Sequence, residues 1–494
     1  MRLAILATST LLHTTLAQME SPNIQSPNIQ LPPTAAANAD KVKVLFQNAY
    51  GAYKQKASGH DLLSPVSEFY SDPYNGWGVT VVDSMSTMYV MKLYDLFDEA
   101  VRFVGTIDFS KSHSNDPMVS VSQSSIRYLG GLLSAYELSQ KKHPILLQKA
   151  RELGDKLSFA WVGDNDVPFR SIDFTTNTPK VETSNIAEAA SMLLEFNRLS
   201  SFTGNATYDK LAQKSVKHIM TNHAPLPGLS AQGIDPSNGR PVGGYITFGG
   251  GSDQYFYSIL RFAMLPGTVD NIYGSTWTTA IDSAIRTLIR RSTVGDWTYL
   301  ADYDDSKRIR HISSHQKCFA GGDWIVGGRL LVNETIFDIG QQLTAACLNI
   351  YSSTATGLGP EEVAFDSSDG SNTGGPSPTA DEFYQQHGFY ITKGDFILRP
   401  EVLQSNLYAW RTTGDIRYFD TAKTILEAIS KLTQRGGGVA GLLDVMDLSQ
   451  GYVDKTESFF FSGVLKYLYL TFDDPNNVSL DKYVISIPGH LFDR

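Results

Sequence analysis

Apolar residues recur at helical spacing over most of the chain. Val82, Met85, Tyr89, Leu93 and Leu96 fall on one face, and Ile126, Leu129, Leu133 and Tyr136 on a second. Leu403, Leu407 and Trp410 form a third stripe, and Phe460, Val464, Tyr467 and Thr471 a fourth. Each stripe predicts a helix with one buried side. Pro400 and Gly414 bracket the third. Proline suits a first turn that needs no N–H, and glycine suits the residue just past a helix end. Residues 203–208 and 413–418 share the pattern T-G-[N/D]-x-x-Y, each between two apolar helices. This predicts repeated helix–turn–helix units, stacked or closed into a ring, with coincidence as the alternative. Glycine-rich breaks at 242–251, 357–375 and 436–441 predict long loops, and 481–487 alternates like a short strand.

The N-terminal region departs from this pattern. Arg2, the apolar stretch 3–12 and Thr15-Leu16-Ala17 read as a signal peptide over 1–17, with an uncleaved anchor as the alternative. Ser-Pro-Asn-Ile-Gln occurs twice over 21–30, before Pro32-Pro33 and an alanine run. Such a segment predicts a disordered linker over 18–40, leaving 41–494 as one folded body.

Composition narrows the class. Of 494 residues 42% are hydrophobic, enough for a large core. The formal net charge is −10 and no Lys/Arg-rich run is present, which argues against nucleic acid as a partner. No later segment reads as a membrane helix. The two cysteines, Cys318 and Cys347, form either one disulfide, stabilising by about 3–4 kcal/mol, or two buried thiols. Asn205, Asn333 and Asn477 open N-x-[S/T] triplets and are candidate glycosylation sites. The expected location is secreted or within the secretory lumen.

Three places concentrate polar groups beside helix starts or glycine turns: 121–128 with Arg127, 249–257 with Asp253, and 398–402 with Glu401. A carboxylate in a first helical turn, or in a glycine turn, is also an ordinary structural feature. Read alone, the pattern supports only a hydrolase with two carboxylates.

Longer motifs add a resemblance. Residues 75–87 (NGWGVTVVDSMST), 126–131 (IRYLGG), 315–322 (HQKCFAGG), 356–361 (TGLGPE), 397–401 (ILRPE), 457–459 (ESF) and 465–469 (LKYLY) follow one another in order. Together they resemble class I α-1,2-mannosidases, glycoside hydrolase family 47, especially secreted fungal members. The resemblance implies an all-α fold, an (α/α)7 barrel of helical hairpins closed by a short C-terminal β-hairpin. It implies inverting hydrolysis of α-1,2-linked mannose on N-glycans, and a disulfide between Cys318 and Cys347. It also implies a calcium ion at the barrel base, held by a hairpin threonine and by carboxylates through water. Asp253 matches a candidate proton donor and Glu401 the base. Arg127, Arg399, Phe459, His315 and Glu361 match substrate-binding positions.

The sequence departs from the family at that same site. The position of the general-acid glutamate is Gln123, which has no proton to give. Tyr257, Gln404 and Gly463 stand where acids are expected, and Ile487-Pro488 where the Thr-Glu pair is expected. Isoleucine offers a hard cation no side-chain oxygen. The expectation is therefore no cofactor, a lost calcium site, and a monomer that recognises mannose-containing oligosaccharides with impaired hydrolysis. One alternative is an active enzyme using Asp253 and Glu401. Another is a pocket turned to a different small molecule.

Overall fold

The computed structural model describes residues 22–266, 272–374 and 381–494. Among them, fourteen helices run eight residues or more. The first, α1 (Ala35–Lys56), finds its partner only near the end of the chain. In between, α2 (Val79–Val90) turns back as α3 (Tyr94–Val104), and α4 (Gly130–Leu138) as α5 (Pro144–Leu157). The same hairpin recurs as α6 (Leu193–Thr203) with α7 (Ala206–Thr221), and α8 (Asp253–Ala263) with α9 (Ile272–Thr287). It recurs again as α10 (Phe319–Leu330) with α11 (Glu334–Ser352), and α12 (Glu401–Thr413) with α13 (Ile416–Ser430). The last helix, α14 (Leu465–Phe472), packs on α1 and completes seven pairs.

The even-numbered helices α2 to α14 touch in chain order, and α14 meets α2 again, so they form a closed inner ring. This is the (α/α)7 barrel. Composition separates the two rings. Every residue of α14 is buried, as is α12 from Glu401 to Thr412, because inner helices are covered on all sides. The outer α3 buries only Phe97, Ala100, Val101 and Val104, a single stripe.

The T-G-[N/D]-x-x-Y repeat marks two such hairpin turns. Gly204 and Gly414 end α6 and α12 with φ of 71°. Asn205 and Asp415 then cap α7 and α13, their side-chain oxygens accepting from Thr207 N and Arg417 N. Tyr208 and Tyr418 anchor each turn in the core. The stripe from Val82 to Leu96 is not one helix. The chain reverses at 91–93, with Lys92 at φ 60°, and the stripe continues because α2 and α3 face the same core.

Strands Tyr483–Ile485 and Leu491–Asp493 form the antiparallel C-terminal hairpin. Ser134 on α4 donates its hydroxyl to Leu491 O (2.8 Å) and accepts from Leu491 N (3.0 Å), which holds the hairpin against the ring. Cys318 and Cys347 are disulfide-bonded, tying the start of α10 to α11.

The expected linker over 18–40 needs correction. Ile24 and Gln25 are buried, and α1 already begins at Ala35. The cause is Arg411 on α12, a buried guanidinium. Its Nη1 donates to Gln25 Oε1 (3.0 Å), Pro475 O (2.8 Å) and Val478 O (3.1 Å). Ile24 N donates to Asp481 Oδ1 at 2.6 Å. The segment 22–25 is thus part of the folded body. The expected signal peptide, 1–17, lies outside the described residues. Among the described residues, no helix is long and apolar enough to cross a membrane.

Candidate active site

The barrel axis ends in a pocket of ≈ 130 Å³ lined by Gln123, Arg127, Asp253, Arg399, Glu401, Phe459 and Ile487, among others. Seven positions singled out from the sequence therefore converge, from five separate stretches of chain. His315 and Glu361 reach the pocket through Glu401 and Arg399.

Asp253 and Glu401 each open an inner helix, α8 and α12, and are 7% and 4% exposed. Their surroundings push them apart. Burial, reinforced by the charge of Glu401 and opposed by Arg399, raises the Asp253 carboxyl to about 7. Burial also works against the Glu401 anion, but Arg399 and His315 outweigh it and hold Glu401 below the usual glutamate range. Arg399 Nε donates to both oxygens of Glu361 at 2.7 Å, and Nη1 to Glu401 Oε1 at 3.4 Å. His315 Nδ1 lies 3.0 Å from Glu401 Oε2, and Nε2 lies 2.7 Å from the Tyr351 hydroxyl. An ionised Glu401 can only accept, so His315 Nδ1 is the donor in this contact. The residue before Arg399, buried Leu398, sits at φ 64°. Non-glycine residues are held there only where the surroundings impose it, at a cost of about 1–3 kcal/mol.

On the opposite wall, Arg127 lies in a π-helical turn, Ser124–Leu129, that follows Gln123. Arg127 Nε donates to Gln123 Oε1 (2.8 Å), and Nη1 to Ser458 Oγ (2.9 Å) and Asp83 Oδ2 (3.3 Å). Its guanidinium stacks over Tyr74 and Phe459, 4.6 and 5.5 Å from the ring centroids. Phe459 precedes a second π-turn, Phe460–Val464, and stays partly exposed, offering an aromatic face. Behind Arg127, Asp83 also accepts from Ser458 Oγ at 2.5 Å and meets His490 Nε2 at 3.2 Å. His490 belongs to the hairpin connection, and buried Lys466 reaches Ser86 Oγ (2.7 Å) and the Gly489 carbonyl.

The floor carries the departures. Ile487 and Pro488 line it. The Tyr257 hydroxyl donates to Gln404 Oε1, so the two residues at expected acid positions satisfy each other. A Cβ on Gly463 would stand 2.8 Å from the Pro400 Cβ, so the π-turn approaches the start of α12 only because glycine is there. Among the described residues, no three His, Cys, Asp or Glu side chains gather as a metal cage.

Ser458, Tyr351, Gln316 and Arg261 were not singled out from the sequence, although all four bear on the site. Arg261 had a signal: it follows Asp253 and Tyr257 at four-residue steps, on one face of α8.

Comparisons with known proteins agree with this geometry. The model of glycosyl hydrolase family 47 matches residues 45–494. A protein described as "Probable mannosyl-oligosaccharide alpha-1,2-mannosidase 1B" of Aspergillus clavatus is 36% identical, covering 88% of this chain and 87% of its own. The mannosyl-oligosaccharide alpha-1,2-mannosidase 1B of Emericella nidulans is 32% identical, covering 92% and 93%. Among solved structures, the alpha-1,2-mannosidase from Trichoderma reesei superposes with a TM-score of 0.88 at 31% identity, over 96% of this chain and 99% of that one. A family match over nearly the whole chain and a shared barrel lead to one conclusion: the chain belongs to glycosyl hydrolase family 47.

Proposed function

We propose that this protein recognises terminal mannose of N-linked oligosaccharides in the barrel pocket, without calcium, and hydrolyses it weakly or not at all. The observation that carries this reading is Ile487 on the floor of the same pocket as Asp253 and Glu401. A hard divalent ion takes six to eight oxygen ligands. Here the pocket lining offers an aliphatic side chain and a proline, while the other expected acid positions, outside the lining, hold a glycine and a Tyr–Gln pair already bonded to each other. This donor set does not fit the ion. Gln123 cannot protonate a leaving group, and loss of one acid–base group costs about 10²–10⁴ in rate. What remains suits binding: Arg399 and Arg127 as donors, and Phe459 as an apolar face for a sugar ring.

A second reading has its own support. Asp253, raised to about 7, is protonated at mildly acidic pH while Glu401 is ionised, the division of labour an inverting hydrolase needs. Residual turnover would run through that pair.

Incubation of the purified protein with a mannose-capped oligosaccharide, with and without a chelator, separates the readings. Binding without release of mannose is the expected result. Slow release that ignores the chelator supports the Asp253–Glu401 pair. Chelator-sensitive release refutes the metal-free site, and neither binding nor release points to a different small molecule. The location that goes with this function is the secretory lumen or outside the cell. Asn205, Asn333 and Asn477 are proposed to carry glycans there and the chain to act as a monomer, which endoglycosidase shifts and light scattering test.

A further inference from the structure

Outside the pocket lining, the core holds a buried cation of the chain's own. Arg261 is 1% exposed and lies on α8, two turns below Asp253. Its Nη2 donates to Asp323 Oδ1 on α10 at 2.6 Å and to the Tyr408 hydroxyl on α12 at 3.3 Å. Its Nε donates to Ile485 O at 2.9 Å, in the hairpin strand two residues before Ile487. The guanidinium also stacks on Tyr257 and Tyr408, 4.6 and 5.4 Å from the ring centroids. One side chain therefore joins the helix that begins with Asp253, the helix that begins with Glu401, a third inner helix, and the hairpin that carries Ile487.

The arrangement is a ladder. Asp253, Tyr257 and Arg261 descend one face of α8 at four-residue steps. Glu401, Gln404 and Tyr408 descend the facing side of α12 at steps of three and four. The carboxylates form the top level, the Tyr257–Gln404 hydrogen bond the middle rung, and the Arg261–Tyr408 hydrogen bond the lower rung. Gln404 Nε2 donates to the Tyr408 hydroxyl at 3.2 Å and links the two rungs.

We propose that Arg261, paired with Asp323, is a positioning residue. It braces the pocket floor as a fixed internal cation and sets the spacing of Asp253 and Glu401 independently of divalent ions. The inference rests on the metal-free reading of the pocket. The physical argument is connectivity. A planar guanidinium presents donors in fixed directions and can hold three elements at set angles while stacking on aromatic faces. A lysine supplies the charge without that fork.

The test combines melting curves with calorimetric titration of methyl α-mannoside, on the wild type, Arg261→Lys, Arg261→Met and the double variant Arg261→Met/Asp323→Leu. The wild-type melting midpoint is expected to be the same in millimolar calcium and in chelator. Arg261→Met should lower the midpoint, because it strands Asp323. The double variant removes the stranded carboxylate and should recover the midpoint, yet its mannoside affinity should stay down by about tenfold or more, since small misplacements of site groups are costly. Arg261→Lys should fall between. Wild-type affinity in the double variant overturns the positioning role, and a calcium-dependent rise of the wild-type midpoint overturns the ion-independent floor. If the wild type binds no mannoside, the mannose reading fails separately. The brace is then judged by the calcium arm and by near-ultraviolet dichroism of the tyrosine rungs, where an unchanged spectrum in the double variant overturns it.

Discussion

Arg127 Nε donates to Gln123 Oε1 across 2.8 Å, so the residue at the position where an acid is expected is gripped by a permanent cation. Restoring a carboxyl there leaves Ile487 and Pro488 in the pocket lining, so the floor stays without an oxygen donor. Gln123→Glu alone is therefore expected to change mannose release from α-1,2-mannobiose by less than about tenfold. A gain of a hundredfold would show that the lost carboxyl alone limits turnover.

Arg399 is the cation shared by Glu361 and Glu401. Arg399→Ala leaves two buried carboxylates without it. The expected cost is about 3–5 kcal/mol in chemical unfolding, together with loss of mannoside binding in calorimetry. Affinity equal to wild type would remove Arg399 from the binding site.

Any residual hydrolysis should depend on pH in a set direction. Asp253 keeps its proton up to about pH 7, whereas Glu401 loses its proton below the usual glutamate range. Turnover should fall as pH rises through about 7 and hold on the acidic side until Glu401 protonates. Asp253→Asn should abolish the alkaline limb along with most of the rate. A profile still rising at pH 8 would exclude Asp253 as the donor.

Glu195, on α6, is 1% exposed, and burial raises its carboxyl to about 8. Between its ordinary value of 4.5 and about 8, the folded state binds a proton that the unfolded state has released, so this group makes stability fall as pH rises. Glu195→Gln removes that term. The stability of the variant relative to wild type should grow by about 1.4 kcal/mol per pH unit across the window. Urea unfolding at several pH values measures it, and a pH-independent difference would mean that Glu195 titrates normally in the fold.

The barrel was legible in the sequence where period and punctuation coincide. Pro400 and Gly414 bracket α12, and the two T-G-[N/D]-x-x-Y turns mark corresponding hairpins. Convergence of Asp253, Glu401 and Arg127 was legible through motif order, because a closed ring brings the starts of inner helices to one end. The fate of residues 22–34 was not. Nothing local shows that Ile24 and Gln25 fill a site beside Arg411, almost four hundred positions away, since Pro-rich composition speaks only of local preference. Arg261 was missed for a related reason. Its role depends on Asp323, Tyr408 and Ile485, which only tertiary structure brings together.

The partnership of α1 with α14, and the hairpin resting on Ser134, also bear on how the molecule is made. The ring cannot shut until residues near 491 have left the ribosome, so six helical hairpins wait with their apolar seams unsealed. At about 5–20 residues per second, that interval lasts tens of seconds. Until then the inner faces of α2 and α4 are open to chaperones, and a chain stopped before residue 483 should persist as a chaperone-bound, protease-sensitive species.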